Sequence, residues 1–109
     1  MKIKTRKGEI TLSLYGFATE KIYENRNNKA LDLSEPKATT MIELFYCVTA
    51  ANMQRLKMDV IGFDDWFDDI YDLNEGDKTI YEFFVWYVEQ KNAQAETLSN
   101  IVNKKKKTK

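Results

Sequence analysis

Phe63, Trp66, Phe67, Ile70 and Tyr71 stand at i, i+3, i+4, i+7 and i+8, and after an interruption at Gly76 the residues Ile80, Phe83, Phe84, Tyr87 and Val88 repeat that spacing. On a helix of 3.6 residues per turn each set lies on one face, whereas a strand would scatter it over two. The spacing therefore predicts two short amphipathic helices. A third stripe precedes them. Met41, Phe45, Val48, Met53 and Leu56 recur at three- to five-residue steps, broadened by Ile42, Leu44 and Cys47, which predicts the longest, central helix from about Lys37 to Lys57. The two aromatic patterns differ in their polar residues, and no period of twenty to fifty residues links them, so the chain is not a repeat protein.

The amino end has a different period. Ile3, Thr5, Ile10, Leu12 and Leu14 alternate with polar residues around Lys7-Gly8, which reads as a hairpin between Lys2 and Leu14. Gly16 is a joint into a helix from about Phe17 to Asn25, which the polar stretch Asn25 to Lys29 ends. Residues 30–36 connect it to the central helix, with Ser34 or Glu35 before Pro36 as the helix start. The fold class expected is mainly α: a compact domain of about four helices with a short N-terminal β-hairpin, filling residues 1–95. Residues 96–109 turn polar and lysine-rich and are expected to be a mobile tail. At 109 residues, with 43% hydrophobic and 13% aromatic residues, the chain supports one modest core and not two domains.

Seventeen acidic and seventeen basic residues cancel, but they are segregated. Lys2, Lys4, Arg6 and Lys7 make the beginning basic, and Lys104, Lys105, Lys106, Lys107 and Lys109 make the end basic. Between Lys57 and Lys78 there is no cation, while Asp59, Asp64, Asp65, Asp68, Asp69, Asp72, Glu75 and Asp77 all fall there. Like charges at this density must face water or a cationic partner. Tested as a calcium loop from Asp64 to Glu75, the segment fails. Trp66 takes the third ligand position and Asp69 the sixth, where glycine makes the turn. No metal or other cofactor is expected.

Catalysis is poorly served. The chain has no histidine, which removes the commonest general base and metal ligand, and Cys47 sits in an apolar stretch, where a thiol is normally a buried hydrophobe. The glycines are scattered, with no phosphate-cradling spacing. The lysines of the end lack arginine, interleaved aromatics and a groove-reading motif, so specific nucleic-acid binding is not expected. No uninterrupted apolar run is long enough for a membrane span, and a lone cysteine without a leader-like start points to a reducing, intracellular compartment.

The function class left is protein binding. Beyond its core stripe, segment 80–88 also carries Tyr81, Val85 and Trp86, so the helix is apolar nearly all round. Either it is central to the core, or its second face meets a partner. The candidate partner-binding residues are Trp66, Tyr81, Val85 and Trp86 as apolar anchors, with Asp64, Asp65, Asp68 and Asp69 as an acidic docking face. For the aspartates the simpler alternative is a solvated helix side.

The layout of basic hairpin, Gly16-Phe17 joint, long helix around Met41 to Leu56, and Gly62-Phe63-Asp64-Asp65-Trp66 leading into an acidic aromatic helix resembles the small tail assembly chaperones of long-tailed (siphovirus) phages and prophages of Gram-positive bacteria. The likeness runs from Lys2 to about Gln90 and rests on organisation, not on a diagnostic motif. It implies a non-enzymatic protein of the bacterial host cytoplasm that coats the tape-measure protein, recruits tail-tube subunits and is absent from the finished virion. Self-association is expected with it. Lys104 to Lys107 would be encoded by an adenine-rich run, a slip site for a longer frameshifted form; a coding sequence without a slip heptamer and an overlapping frame removes that idea. Two readings from other classes stand beside it. One is a small acidic regulator that occupies a basic, nucleic-acid-binding surface of a host protein; the other is an enzyme of unfamiliar type using two of the carboxylates.

Overall fold

The computed structural model describes residues 1–35 and 37–107. Two strands, β1 (Lys2–Thr5) and β2 (Gly8–Thr11), pair antiparallel with Ile3 opposite Ile10. The alternation read from the sequence places Ile3, Thr5, Ile10 and Leu12 inward, all buried. Gly8, at φ +123°, follows the two-residue turn in a backbone region that side-chain-bearing residues rarely adopt. Thr5 closes the turn, its hydroxyl donating to the Gly8 carbonyl at 2.8 Å and accepting the Lys7 N–H at 3.1 Å.

Four helices follow: α1 (Gly16–Asn27), α2 (Ala38–Arg55), α3 (Phe63–Asp72) and α4 (Asp77–Lys107). Helix α1 outruns its expected end by two residues and stops at Asn28, a left-handed cap whose N–H donates to the Glu24 carbonyl. The helix start assigned to Pro36 lies outside the described residues; α2 begins at Ala38, after an extended Lys37. Helix α2 is the central element the sequence predicts. Met41 and every residue from Leu44 to Met53 are buried, so the hairpin and the other helices surround it on all sides.

The core is aromatic at its centre. Phe45 of α2 stacks on Phe83 of α4 at 4.3 Å between centroids and meets Trp66 of α3 edge-on at 5.0 Å. Trp66 also touches Tyr46 and Phe63, with centroids at 5.4 and 5.6 Å. Offset and edge-to-face pairs of this kind add about 0.5–1.5 kcal/mol each beyond area burial. The hairpin is tied on by Asn52 of α2, whose side chain accepts the Ser13 N–H and donates to the Ser13 carbonyl, both at 2.9 Å.

Helix α4 departs most from the expectation. It does not end near Ala95, where the composition turns polar, but continues as helix to Lys107. Its length of about 46 Å explains why the molecule extends 55 × 28 × 26 Å. The radius of gyration is 15.6 Å, against roughly 13 Å for a compact chain of this size. The molecule is a helical globule from which the distal half of α4 projects. No helix is long and apolar enough to cross a membrane among the described residues.

Candidate partner-binding surface

The acidic helix does not offer the face expected of it. Asp69 is buried at 4% exposure, because the basic hairpin turn folds over it. The Arg6 backbone N–H donates to Asp69 Oδ2 at 2.9 Å and its guanidinium reaches Asp69 Oδ1 at 3.0 Å and Asp65 Oδ1 at 3.3 Å. The hydrogen bonds from Arg6 hold the Asp69 carboxyl below its ordinary range. Asn74 continues the same clamp, accepting the Lys4 N–H at 2.9 Å and donating to the Lys4 carbonyl at 2.8 Å, in place of a missing neighbouring strand. Asp69 is thus a structural anchor and Asp65 an ion-pair partner. Of the four candidate aspartates, Asp64 and Asp68 are exposed and, among the described residues, make no ion pair.

The aromatic candidates are corrected in the same way. Trp66 has no accessible surface; its spacing with Ile70 turns it onto α2, and it is the centre of the core instead of an anchor for a partner. Trp86 is half-buried against Phe83, with centroids at 5.9 Å, and so chiefly packs inward. Tyr81 and Val85 are exposed, at 68% and 39%.

The open question about segment 80–88 resolves geometrically. Because α2 holds the centre, α4 packs by one side only, through Thr79, Phe83 and Tyr87, all buried. Its other side leaves Tyr81, Phe84, Val85 and Val88 exposed. Beside them a groove of about 190 Å³ opens between Leu33 and the Phe84, Val88 and Lys91 positions of α4. Leu98, 64% exposed, carries the apolar side onto the projecting half of the helix. Phe84, Val88, Leu98 and Leu33 were not legible as surface from the sequence, although the three- and four-residue steps from Phe84 to Val88 and from Ala95 to Leu98 were the available signal.

Chemistry is sparse. Cys47 is fully buried, and loss of solvation pushes its thiol up to about 12, so the thiolate a nucleophile requires is not formed near neutrality. Among the described residues no three His, Cys, Asp or Glu side chains are grouped to hold a metal ion. Compared with known proteins, the chain matches no family model, no curated protein and no solved structure. What the surface can do is argued from its own residues.

Proposed function

We propose that the chain is a non-catalytic assembly chaperone of the phage-tail type, which covers an apolar helical client, a tape-measure protein, and recruits tail-tube subunits in the host cytoplasm. One observation carries the reading: α4 is half in the core and half free, and its free side presents Tyr81, Phe84, Val85 and Val88 along one helix. Such a strip matches recognition of an amphipathic helix through residues at i, i+3, i+4 and i+7. An exposed aromatic and aliphatic strip of this kind marks an interaction site more often than chance exposure does. The acidic-regulator reading draws less support, since Arg6 occupies Asp65 and Asp69 and shortens the free anionic strip.

The test is co-expression with the long helical protein encoded downstream in the same locus. The wild-type chain is expected to keep that protein soluble and to co-purify with it in high salt. Tyr81→Lys with Val85→Lys, both at exposed positions, is expected to stay folded and lose the complex. A client equally soluble with this variant refutes the α4 site, and a client that never associates with the wild-type chain refutes the chaperone reading.

A further inference from the structure

We infer that the cleft between the end of α1 and the start of α2 is a binding site for a small phosphorylated sugar, whose phosphate sits on the α2 N-terminus while its hydroxyls donate to Asp32 and Glu35. The inference uses none of the α4 residues assigned to the client and does not depend on the proposed function.

The seat for the phosphate is built from the helix end. The Met41 N–H donates to the Lys37 carbonyl at 3.1 Å, so the amides of Ala38, Thr39 and Thr40 precede the first bond of α2 and have no acceptor within the helix. No side chain caps them, and no acidic residue stands in the first turn to meet the positive end of this 18-residue helix. Phosphate oxygens satisfy such amides and the dipole together. Thr39 and Thr40 line the same cleft, and each adds a hydroxyl donor. Lys29 and Lys37 line it as well, and among the described residues neither makes an ion pair.

A buried hydroxyl points to a ligand independently. Tyr23 of α1 is only 3% exposed, yet it lines the cleft. Beyond the helix ladder, and among the described residues, its carbonyl accepts a bond from Asn27 but its side chain makes none. The hydroxyl is also not among the partnerless polar atoms sealed from solvent, which are Thr19 Oγ1 and Trp66 Nε1. The phenol is therefore enclosed along its ring and open at its tip, with an unused donor toward the cleft. Burial, reinforced by the charge of Glu43, pushes this phenol above its ordinary range, so it is protonated and donates at neutral pH. A donor held in that position is satisfied by a bound acceptor such as a phosphate oxygen.

The segment before α2 decides the rest of the ligand. Asp32 and Glu35 line the cleft, and a bare phosphate would meet their two negative charges. Asp32 Oδ1 accepts the Ser34 hydroxyl at 2.7 Å and the Ser34 N–H at 2.9 Å, bonds that hold the carboxyl below its ordinary range. Among the described residues Oδ2 is left open. An ionised carboxylate only accepts hydrogen bonds, so the groups that match it are neutral donors, as sugar hydroxyls are. A nucleobase would need an apolar or aromatic wall on which to stack; apart from Tyr23, whose ring is enclosed, Ala30 is the one apolar side chain among the described lining residues. The cleft holds about 490 Å³, within the roughly 300–1,000 Å³ of small-molecule sites.

Amide nuclear magnetic resonance spectra of the full chain test the site with glucose 6-phosphate, inorganic phosphate and glucose as probes. Glucose 6-phosphate is expected to shift the amides of Ala38, Thr39 and Thr40 saturably, with the other two probes roughly tenfold weaker or more. Tyr23→Phe removes one oxygen and no hydrogen bond, so it is expected to keep the wild-type melting temperature while weakening glucose 6-phosphate by roughly tenfold. Asp32→Asn keeps an acceptor for Ser34 and removes a negative charge; it is expected to weaken glucose 6-phosphate without weakening inorganic phosphate. No shift at these amides with millimolar glucose 6-phosphate overturns the inference. Equal affinity for inorganic phosphate overturns the ligand class, because Asp32 and Glu35 would then contribute nothing. Unchanged affinity in a folded Tyr23→Phe chain overturns the site as built, since its buried donor would not reach the ligand.

Discussion

Replacing Trp66 separates a core keystone from a binding anchor. The indole is without accessible surface and rests against Phe45, Tyr46 and Phe63, so Trp66→Ala removes its buried area and leaves a cavity among rings that cannot collapse freely. Truncations of this kind cost roughly 3–5 kcal/mol, a large share of the ~5–15 kcal/mol that holds a domain together, and about 4 kcal/mol lowers the melting temperature of a chain this size by roughly 20 °C. Trp66→Phe behaves differently. Among the described residues the indole Nε1–H has no hydrogen-bond partner, and a buried orphan donor costs about 1–3 kcal/mol. Phenylalanine loses part of the area but also that penalty, for an expected net loss of about 1 kcal/mol or less. Urea titration followed by far-ultraviolet circular dichroism measures both, with Tyr81→Ala as the exposed control, expected within about 0.5 kcal/mol of wild type. If Trp66→Ala left the midpoint unmoved while abolishing partner binding, the packing described for α3 would be wrong and Trp66 would be the surface anchor its residue type suggests.

Gly76 combines φ +57° with a Tyr71 ring only 2.6 Å from where a Cβ would stand. Gly76→Ala is therefore expected to cost roughly 2–4 kcal/mol, and less in a Tyr71→Ala background, which a double-mutant cycle in urea reads directly. Asp69 titrates below its unfolded value of about 3.9, so its contribution is complete above that pH and is lost as pH falls through the lower folded value. The urea midpoint should drop below about pH 4, and Arg6→Met should flatten that drop; an unchanged acid profile in Arg6→Met would show that the clamp does not set it. Asn52→Ala leaves the Ser13 N–H and carbonyl without their partners and should cost roughly 1–3 kcal/mol, with faster hydrogen exchange at the Ser13 amide as its local signature.

The order of elements was legible because each rests on local periodicity: alternation around Lys7-Gly8, the long stripe from Met41, and the aromatic steps from Phe63 and Ile80. The exposure of the candidate residues was legible only in part. Tyr81 and Val85 stand free because they lie off the Phe83 and Tyr87 stripe, which spacing alone indicates. Trp66 and Asp69 were misplaced for one reason: residue type suggests a surface role, but burial depends on what folds over the residue. The cover on Asp69 is Arg6, more than sixty residues away in sequence, and no periodicity reports a contact of that range. Opposed charge in the hairpin turn and the third helix was the only hint. The end of α4 was missed because composition turns polar at Ala95 while the heptad steps continue to Leu98, and composition was given more weight than spacing.

A chain of this length can surround one helix but not two. Both α2 and the first turns of α4 carry apolar residues on nearly every side, and the globule has enough elements to enclose only α2, whose residues from Leu44 to Met53 are all buried. The hairpin, α1 and α3 are spent on that enclosure. The surplus apolar side of α4 is thus a consequence of how many elements the sequence encodes and how far α4 runs beyond them. Polar substitution at Tyr81 would cost the globule little, since it is largely exposed and surface changes stay near ±0.5 kcal/mol; Phe84, Val85 and Val88 are partly covered and would cost more. Folding of the single chain therefore gives little reason for an aromatic ring at Tyr81 or for the uncovered part of Phe84, Val85 and Val88. A second surface that has to be covered does.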